Sequence, residues 1–170
     1  MAKQARFGWN ELNLFSEALC VAEESVSEYF NLSEGSWSGY PYEVRTLAQL
    51  SPIELSDDAL AQILRLRQLS RPGRLREWDF YRICVQDHNL LGLLQREKAG
   101  ELFLPLCIYV LAHELVHVVR FYRFQHLYEA SGPQRKNEEN RVHAITRRAL
   151  ADAKIKSLDT VINLYQQQEG

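Results

Sequence analysis

The segment from Leu102 to Ala112, LFLPLCIYVLA, is almost uninterruptedly apolar, and Leu115, Val116, Val118 and Val119 continue its character. A helix that is apolar on every side cannot lie on a protein surface; it has to be surrounded by other elements or by lipid. His113, Glu114 and His117 interrupt the run, and its uncharged part falls short of the ~20 residues that span a bilayer. The stretch therefore predicts a helix buried at the centre of a soluble fold, over about residues 105–130, with no membrane span. Pro105 suits its first turn, where a missing N–H costs nothing. Ser131-Gly132-Pro133 reads as a glycine cap followed by a proline that cannot continue the helix.

The chain has 170 residues, enough for one domain with its own core, and residues 1–170 are expected to form a single domain. Its 20 basic and 22 acidic side chains give a net charge of −2. That balance argues against nucleic acid as a partner. Residues 65–82 carry Arg65, Arg67, Arg71, Arg74, Arg76 and Arg82, but no recognition-helix or aromatic-platform pattern accompanies them, so they read as a solvated rim. The start of the chain lacks the apolar core of a signal peptide. Cys20, Cys84 and Cys107 are odd in number and form no CxxC pair. Both features point to a cytoplasmic protein with reduced thiols.

Periodicity places the other elements. Leu12, Phe15, Leu19, Ala22, Val26 and Tyr29 recur at helical spacing and predict an amphipathic helix over about 10–30. Residues 33–40 are turn-forming. Alternation predicts short strands over 42–47 and 80–86. Ser51 to Glu54 has capping-box spacing, Ser56 is a second possible cap, and a helix over about 57–69 is expected to carry Leu60, Ile63 and Leu64 inward. Residues 89–101 leave helix and strand both open. A further helix is expected over about 137–155, with Val142, Ile145, Ala149 and Ala153 on one face, and a last one over 158–168. The expected fold is α+β and helix-rich, a short sheet packed on a long buried helix.

His113-Glu114-Leu115-Val116-His117 matches the HExxH pattern. Histidines at i and i+4 stand one turn apart on the same helical face, so their imidazoles can grip one metal ion. Glu114 then points toward the same place without being a ligand, where it can take up a proton and later deliver it. An unpaired carboxylate in so apolar a helix is costly, and a nearby cation meets that need. A catalytic zinc ion uses three protein ligands and one open position. His126 falls on the wrong face of a continuous helix to be the third. The helix over 137–155 can fold back antiparallel and offers Glu138 and Glu139 in its first turn, with His143 one turn beyond. His88, like His126, reads as a hydrogen-bonded structural residue.

These residues resemble the gluzincins, zinc peptidases that pair HExxH with a glutamate on a following helix. Glu139-Asn140-Arg141-Val142-His143 follows their second element, roughly Glu-x-x-x-Asp or Asn. The resemblance covers residues 105–155. It implies a minimal zincin-like fold in which His113, His117 and Glu139 hold Zn²⁺ and Glu114 is general base and then acid. The implied activity is hydrolysis of a peptide or protein substrate. His143 departs from the family's Asp or Asn, so it is an orienting group or a ligand itself, and Glu138 remains an alternative third ligand. Tyr109, Tyr122, Tyr128 and His143 are the candidates for stabilising a developing oxyanion. The alternative function is that of a non-catalytic interaction or regulatory protein, metal-binding or metal-free, on the same scaffold. Nothing in the sequence fixes an oligomeric state.

Overall fold

The computed structural model describes residues 4–33, 36–68, 78–124 and 128–169. The described residues form five helices and a three-stranded mixed sheet: α1 Trp9–Tyr29, β1 Tyr42–Arg45, β2 Ala61–Gln68, β3 Trp78–Val85, α2 Asp87–Arg96, α3 Phe103–Tyr122, α4 Gly132–Leu150 and α5 Leu158–Glu169. Strand order is β1-β3-β2, with β3 parallel to β1 and antiparallel to β2. The fold is helix-rich α+β.

Helix α3 is the axis of the core. Every residue from Leu106 to Arg120 is buried, and α1, α4, α5 and β2 all pack on it. The stretch Gly100–Tyr122 is long and apolar enough to cross a membrane, but 89% of its most apolar window lies inside the protein. Neighbouring elements, not lipid, cover it. On α1 the buried stripe is Phe15, Ala18, Ala22, Ser25 and Val26. Leu12 and Tyr29, expected on that stripe, lie exposed at its two ends.

Several boundaries differ from expectation. Residues 57–69 were expected as a helix, but Ala61–Gln68 form strand β2, paired residue by residue with β3. Short runs of Ile, Leu and Arg satisfy either period, and an antiparallel partner decides between them. Ser56 does accept a main-chain bond from Ala59, though the turn it closes leads into a strand. The motif helix ends at Tyr122 rather than near 130, with Phe124 in a left-handed conformation at φ 54°. Ser131-Gly132-Pro133 opens α4 instead of closing α3. Gly132 sits at φ 62°, where only glycine is unstrained, and Pro133 occupies the first turn. Helix α4 therefore begins five residues before the expected 137. It ends at Leu150, beyond which Ala151–Ala153 form a 3₁₀ turn and Lys154 turns left-handed. The ambiguous segment 89–101 contributes most of α2 and the 3₁₀ turn Gly100–Leu102. The predicted capping box at Ser51 and Glu54 is present, on a 3₁₀ turn. Cys84 and Cys107 are buried free thiols, and Cys20 is an exposed one.

Two buried polar side chains at the β3–α2 junction hold the loops. Asp87 accepts the main-chain N–H of Phe7 and of Leu47, each at 2.9 Å. Gln86 accepts the N–H of Ser56 and donates to the carbonyl of Glu54. His88 donates a ring N–H to the carbonyl of Ser56, and Asn89 donates to those of Ser56 and Ala59. His88 is thus a structural hydrogen-bonding residue. Asp87→Ala should orphan two buried donors and cost about 2–5 kcal/mol in chemical denaturation. Asp87→Asn, which keeps one acceptor oxygen, should cost less. Equal stability of Asp87→Ala and wild type would show that the two loops are held by other contacts.

Candidate metal centre

His113 and His117 lie one turn apart on α3, and α4 crosses their face. Nε2 of His113 is 3.1 Å from one carboxylate oxygen of Glu139, and Nε2 of His117 is 3.0 Å from the other. The two Nε2 atoms are 3.2 Å apart. Ligands ~2.0–2.1 Å from a tetrahedral ion stand about 3.3 Å from one another, a spacing close to these, with the two histidines meeting different oxygens of the one carboxylate. Two imidazole nitrogens and one carboxylate oxygen suit zinc or another first-row transition metal.

Electrostatics favours a neutral imidazole at His113 and an ionised carboxylate at Glu139. Burial strips hydration from His113 and pushes its pKa down to about 4, so the imidazole is neutral at pH 7. Burial alone would raise the Glu139 carboxyl, but hydrogen bonds and charge from His113 and His117 outweigh it and hold the group well below the usual range. His143 is likewise pushed down by burial. Nδ1 of His113 and of His117 are buried without a hydrogen-bond partner among the described protein atoms. Ring packing orients them instead. His117 stacks on Phe121 at 5.8 Å, and His113 lies 5.1 Å from Tyr165 and 4.6 Å from His143.

The structure separates the two glutamates that sequence left in competition. The Glu138 carboxylate is buried and takes both Nε and Nη2 of Arg120, a buried residue of α3. Glu139, one residue on, faces the histidines. His143 follows Glu139 by one turn and offers a nitrogen that, with donors of His113 and Glu139, forms a cluster within 4.8 Å. Its Nδ1 lies 2.5 Å from the hydroxyl of Tyr109.

A cleft of about 610 Å³ opens onto this centre. His113, Glu114, His117, Glu139 and Tyr165 line one side, and Ala61 to Leu64 of β2 line another. Strand β2 is a sheet edge. Leu60 accepts the N–H of Gln86, so by alternation the main chain of Ala61, Ile63 and Arg65 faces away from β3. Tyr128 donates its hydroxyl to the Ile63 carbonyl at 3.0 Å, and Glu129 pairs with Arg65 beyond it. Tyr122 donates to the carbonyl of Pro41. A phenol has one proton, so Tyr122 and Tyr128 are committed elsewhere as oxyanion donors. His126, Arg71, Arg74 and Arg76 lie outside the described residues, while Arg82 is held between Glu43 and Glu54.

Sequence reasoning missed Arg120 and Tyr165. An arginine three residues after His117 in an otherwise apolar helix demands a buried carboxylate, and that signal was available for Arg120. Tyr165 carried none, because its spacing with Val161 and Ile162 reads as ordinary core.

Three measurements follow from this geometry. Glu139→Gln should lose metal affinity by far more than Glu138→Gln in a chelator competition. Glu138→Ala should instead cost about 3–5 kcal/mol of stability, since it removes the carboxylate that both Nε and Nη2 of the buried Arg120 meet. Reversal of that pattern would place the ligand at Glu138. The third is pH dependence of the metal-free protein. His113 titrates near 4 in the fold and 6.5 otherwise, so between those values the unfolded chain binds more protons than the native one. Stability is fully present above about 6.5 and falls toward pH 4, and Glu139, held low, adds loss in the same direction at the acid end. Melting of chelator-treated protein should therefore be lower at pH 5 than at pH 7, and His113→Ala should flatten the difference.

Comparison with protein-family models, with curated proteins and with solved structures finds no match to this chain.

Proposed function

We propose that this protein is a zinc-dependent peptidase that hydrolyses peptide bonds of a peptide or protein substrate. The observation that supports the reading best is the convergence of His113, His117 and Glu139 at mutual separations of 3.0–3.2 Å, with Glu114 on the same cleft wall. Zn²⁺, when bound, supplies Lewis acidity that polarises the scissile carbonyl and acidifies water. Glu114 lies beside the donors without belonging to the converging set, and its carboxylate takes the proton of the attacking water and returns it to the leaving nitrogen. The outward main chain of Ala61 pairs with an extended substrate, in the manner of strand addition at a sheet edge. Main-chain pairing is indifferent to side chains, so specificity comes from the cleft walls, where Phe121 and Tyr128 are aromatic and Arg135 is charged.

A second reading is favoured by one observation. His143 stands with His113 and Glu139 in a group of donors within 4.8 Å of one another that does not include His117, and a site that took His143 in addition to His117 would have four protein ligands and be closed, as on an interaction or regulatory protein.

Glu114→Gln should keep its metal and its fold and lose about 10²–10⁴-fold in cleavage of a mixed peptide library. Wild-type protein that holds one zinc ion per chain and cuts nothing would favour the structural reading. Equal cleavage by the two proteins would remove Glu114 from the mechanism.

A further inference from the structure

We infer that the cleft receives the carboxyl terminus of a peptide: Tyr128 ends the cleft on one side, and Arg135 binds the terminal carboxylate there. The inference deepens the proposed peptidase reading, on which it rests for a peptide in the cleft, and it narrows the substrate class to chains with a free carboxyl end.

Tyr128 reaches from one wall of the cleft to the other. Its ring packs against Phe121 of α3 at 5.6 Å, and its hydroxyl donates to the Ile63 carbonyl of β2 at 3.0 Å. Arg65 reinforces the crossing: its guanidinium lies 5.2 Å from the centre of the Tyr128 ring and pairs with Glu129. Among the outward-facing residues of β2, Ile63 has thus given its carbonyl to Tyr128, and Arg65 lies behind the crossing. An extended chain that pairs at Ala61 meets Tyr128 one pairing step later, two residues along the strand.

That end of the cleft carries a cation. Helix α4 runs antiparallel to α3, because Glu138 meets Arg120, Glu139 meets His117 and His143 meets Tyr109. Arg135 precedes Glu139 by one turn, so it lies toward the Phe121 end, about 6 Å along the helix axis from Glu139. It is the one arginine or lysine among the described lining residues. Its side chain is exposed and makes no hydrogen bond or ion pair with another described residue. The neighbouring carboxylates are engaged elsewhere, Glu129 with Arg65 and Glu139 with the histidines. A planar guanidinium takes a carboxylate in two parallel hydrogen bonds. A terminal ammonium would be repelled by it, and an uninterrupted chain would have to pass through Tyr128. An extended residue spans about 3.3 Å, so about 6 Å leaves room for one or two residues between the metal centre and Arg135. Hydrolysis adds one water across the scissile C–N bond, its hydroxyl to the acyl carbon and a proton to the nitrogen. The fragment that leaves is then a free amino acid or a dipeptide, held until release by Arg135, a specificity-determining residue.

The test compares two forms of one mixed peptide library, dye-labelled at the amino end and made once with free carboxyl ends and once with carboxamide ends. Binding is read by fluorescence polarisation on zinc-loaded Glu114→Gln protein, and cleavage by mass spectrometry with zinc-loaded wild type. The acids should bind about 10-fold more tightly than the amides, the size expected of one charge-assisted pair at an exposed site. Wild type should release one or two residues from the carboxyl end. Arg135→Gln, introduced beside Glu114→Gln at an exposed position outside the core, should bring the acids to the level of the amides, and Arg135→Lys should restore part of the difference. Equal binding of acids and amides overturns the inference, as does a preference that survives Arg135→Gln, or wild-type cleavage that falls mainly in the interior of the peptides. Protein that prefers the acids while wild type cuts neither library is a different result: it supports the docked carboxyl end and overturns the peptidase reading.

Discussion

The polar groups of the candidate site are organised by the burial of α3. An apolar helix can be covered from all sides at little cost, but this one carries His113, Glu114, His117 and Arg120 within its covered length. Each would be expensive to bury alone. Helix α4 answers with two adjacent carboxylates that diverge. Glu138 neutralises Arg120, and Glu139 meets the two imidazoles. The crossing of α3 and α4 is therefore fixed by charge as well as by packing. A slip of one residue along α4 would offer Arg120 the wrong carboxylate and leave the histidines facing Asn140.

That pairing also explains how much of the centre was legible in the sequence. The i, i+4 spacing of His113 and His117 is a local rule and needed no tertiary knowledge. Preference for Glu139 over Glu138 came from the resemblance of residues 139–143 to a known ligand element, and the structure supplies a physical reason of a different kind: Glu138 has its own partner. Strand β2 was misread because its residues fit both periods, and only pairing with β3, distant in the chain, selects the strand. The start of α4 was misplaced because Gly132 and Pro133 serve equally as a stop and as a start. Which one they are depends on where α3 has already ended. Local patterns carried the chemistry here, and non-local contacts carried the boundaries.

The orientation of the histidine rings is unusual for metal ligands. Such residues ordinarily donate their second ring nitrogen to a carboxylate or carbonyl, which fixes ring and tautomer together. Here the Nδ1 atoms of His113 and His117 meet no such acceptor among the described residues, and Phe121, Tyr165 and His143 hold the rings by contact. Aromatic packing fixes a ring plane well but is indifferent to which nitrogen carries the proton. The carboxylate of Glu139, an acceptor only, meets Nε2 of both rings and so favours a proton there, which a bound metal would displace.

All three converging donors lie within a short stretch of chain, with His113 and Glu139 26 residues apart. Strand β2 and α5 contribute walls but no ligand to that set. A cation captured there would tie two consecutive helices together as a cross-link ties a hairpin. In a chain-entropy account, closing a loop of that size removes about 3 kcal/mol of freedom from the unfolded ensemble. Because the loop is short, the same capture can precede the long-range contacts that bring α1 onto α3. The helical pair is thus a unit that metal could organise early in folding, with the remainder of the chain condensing on it.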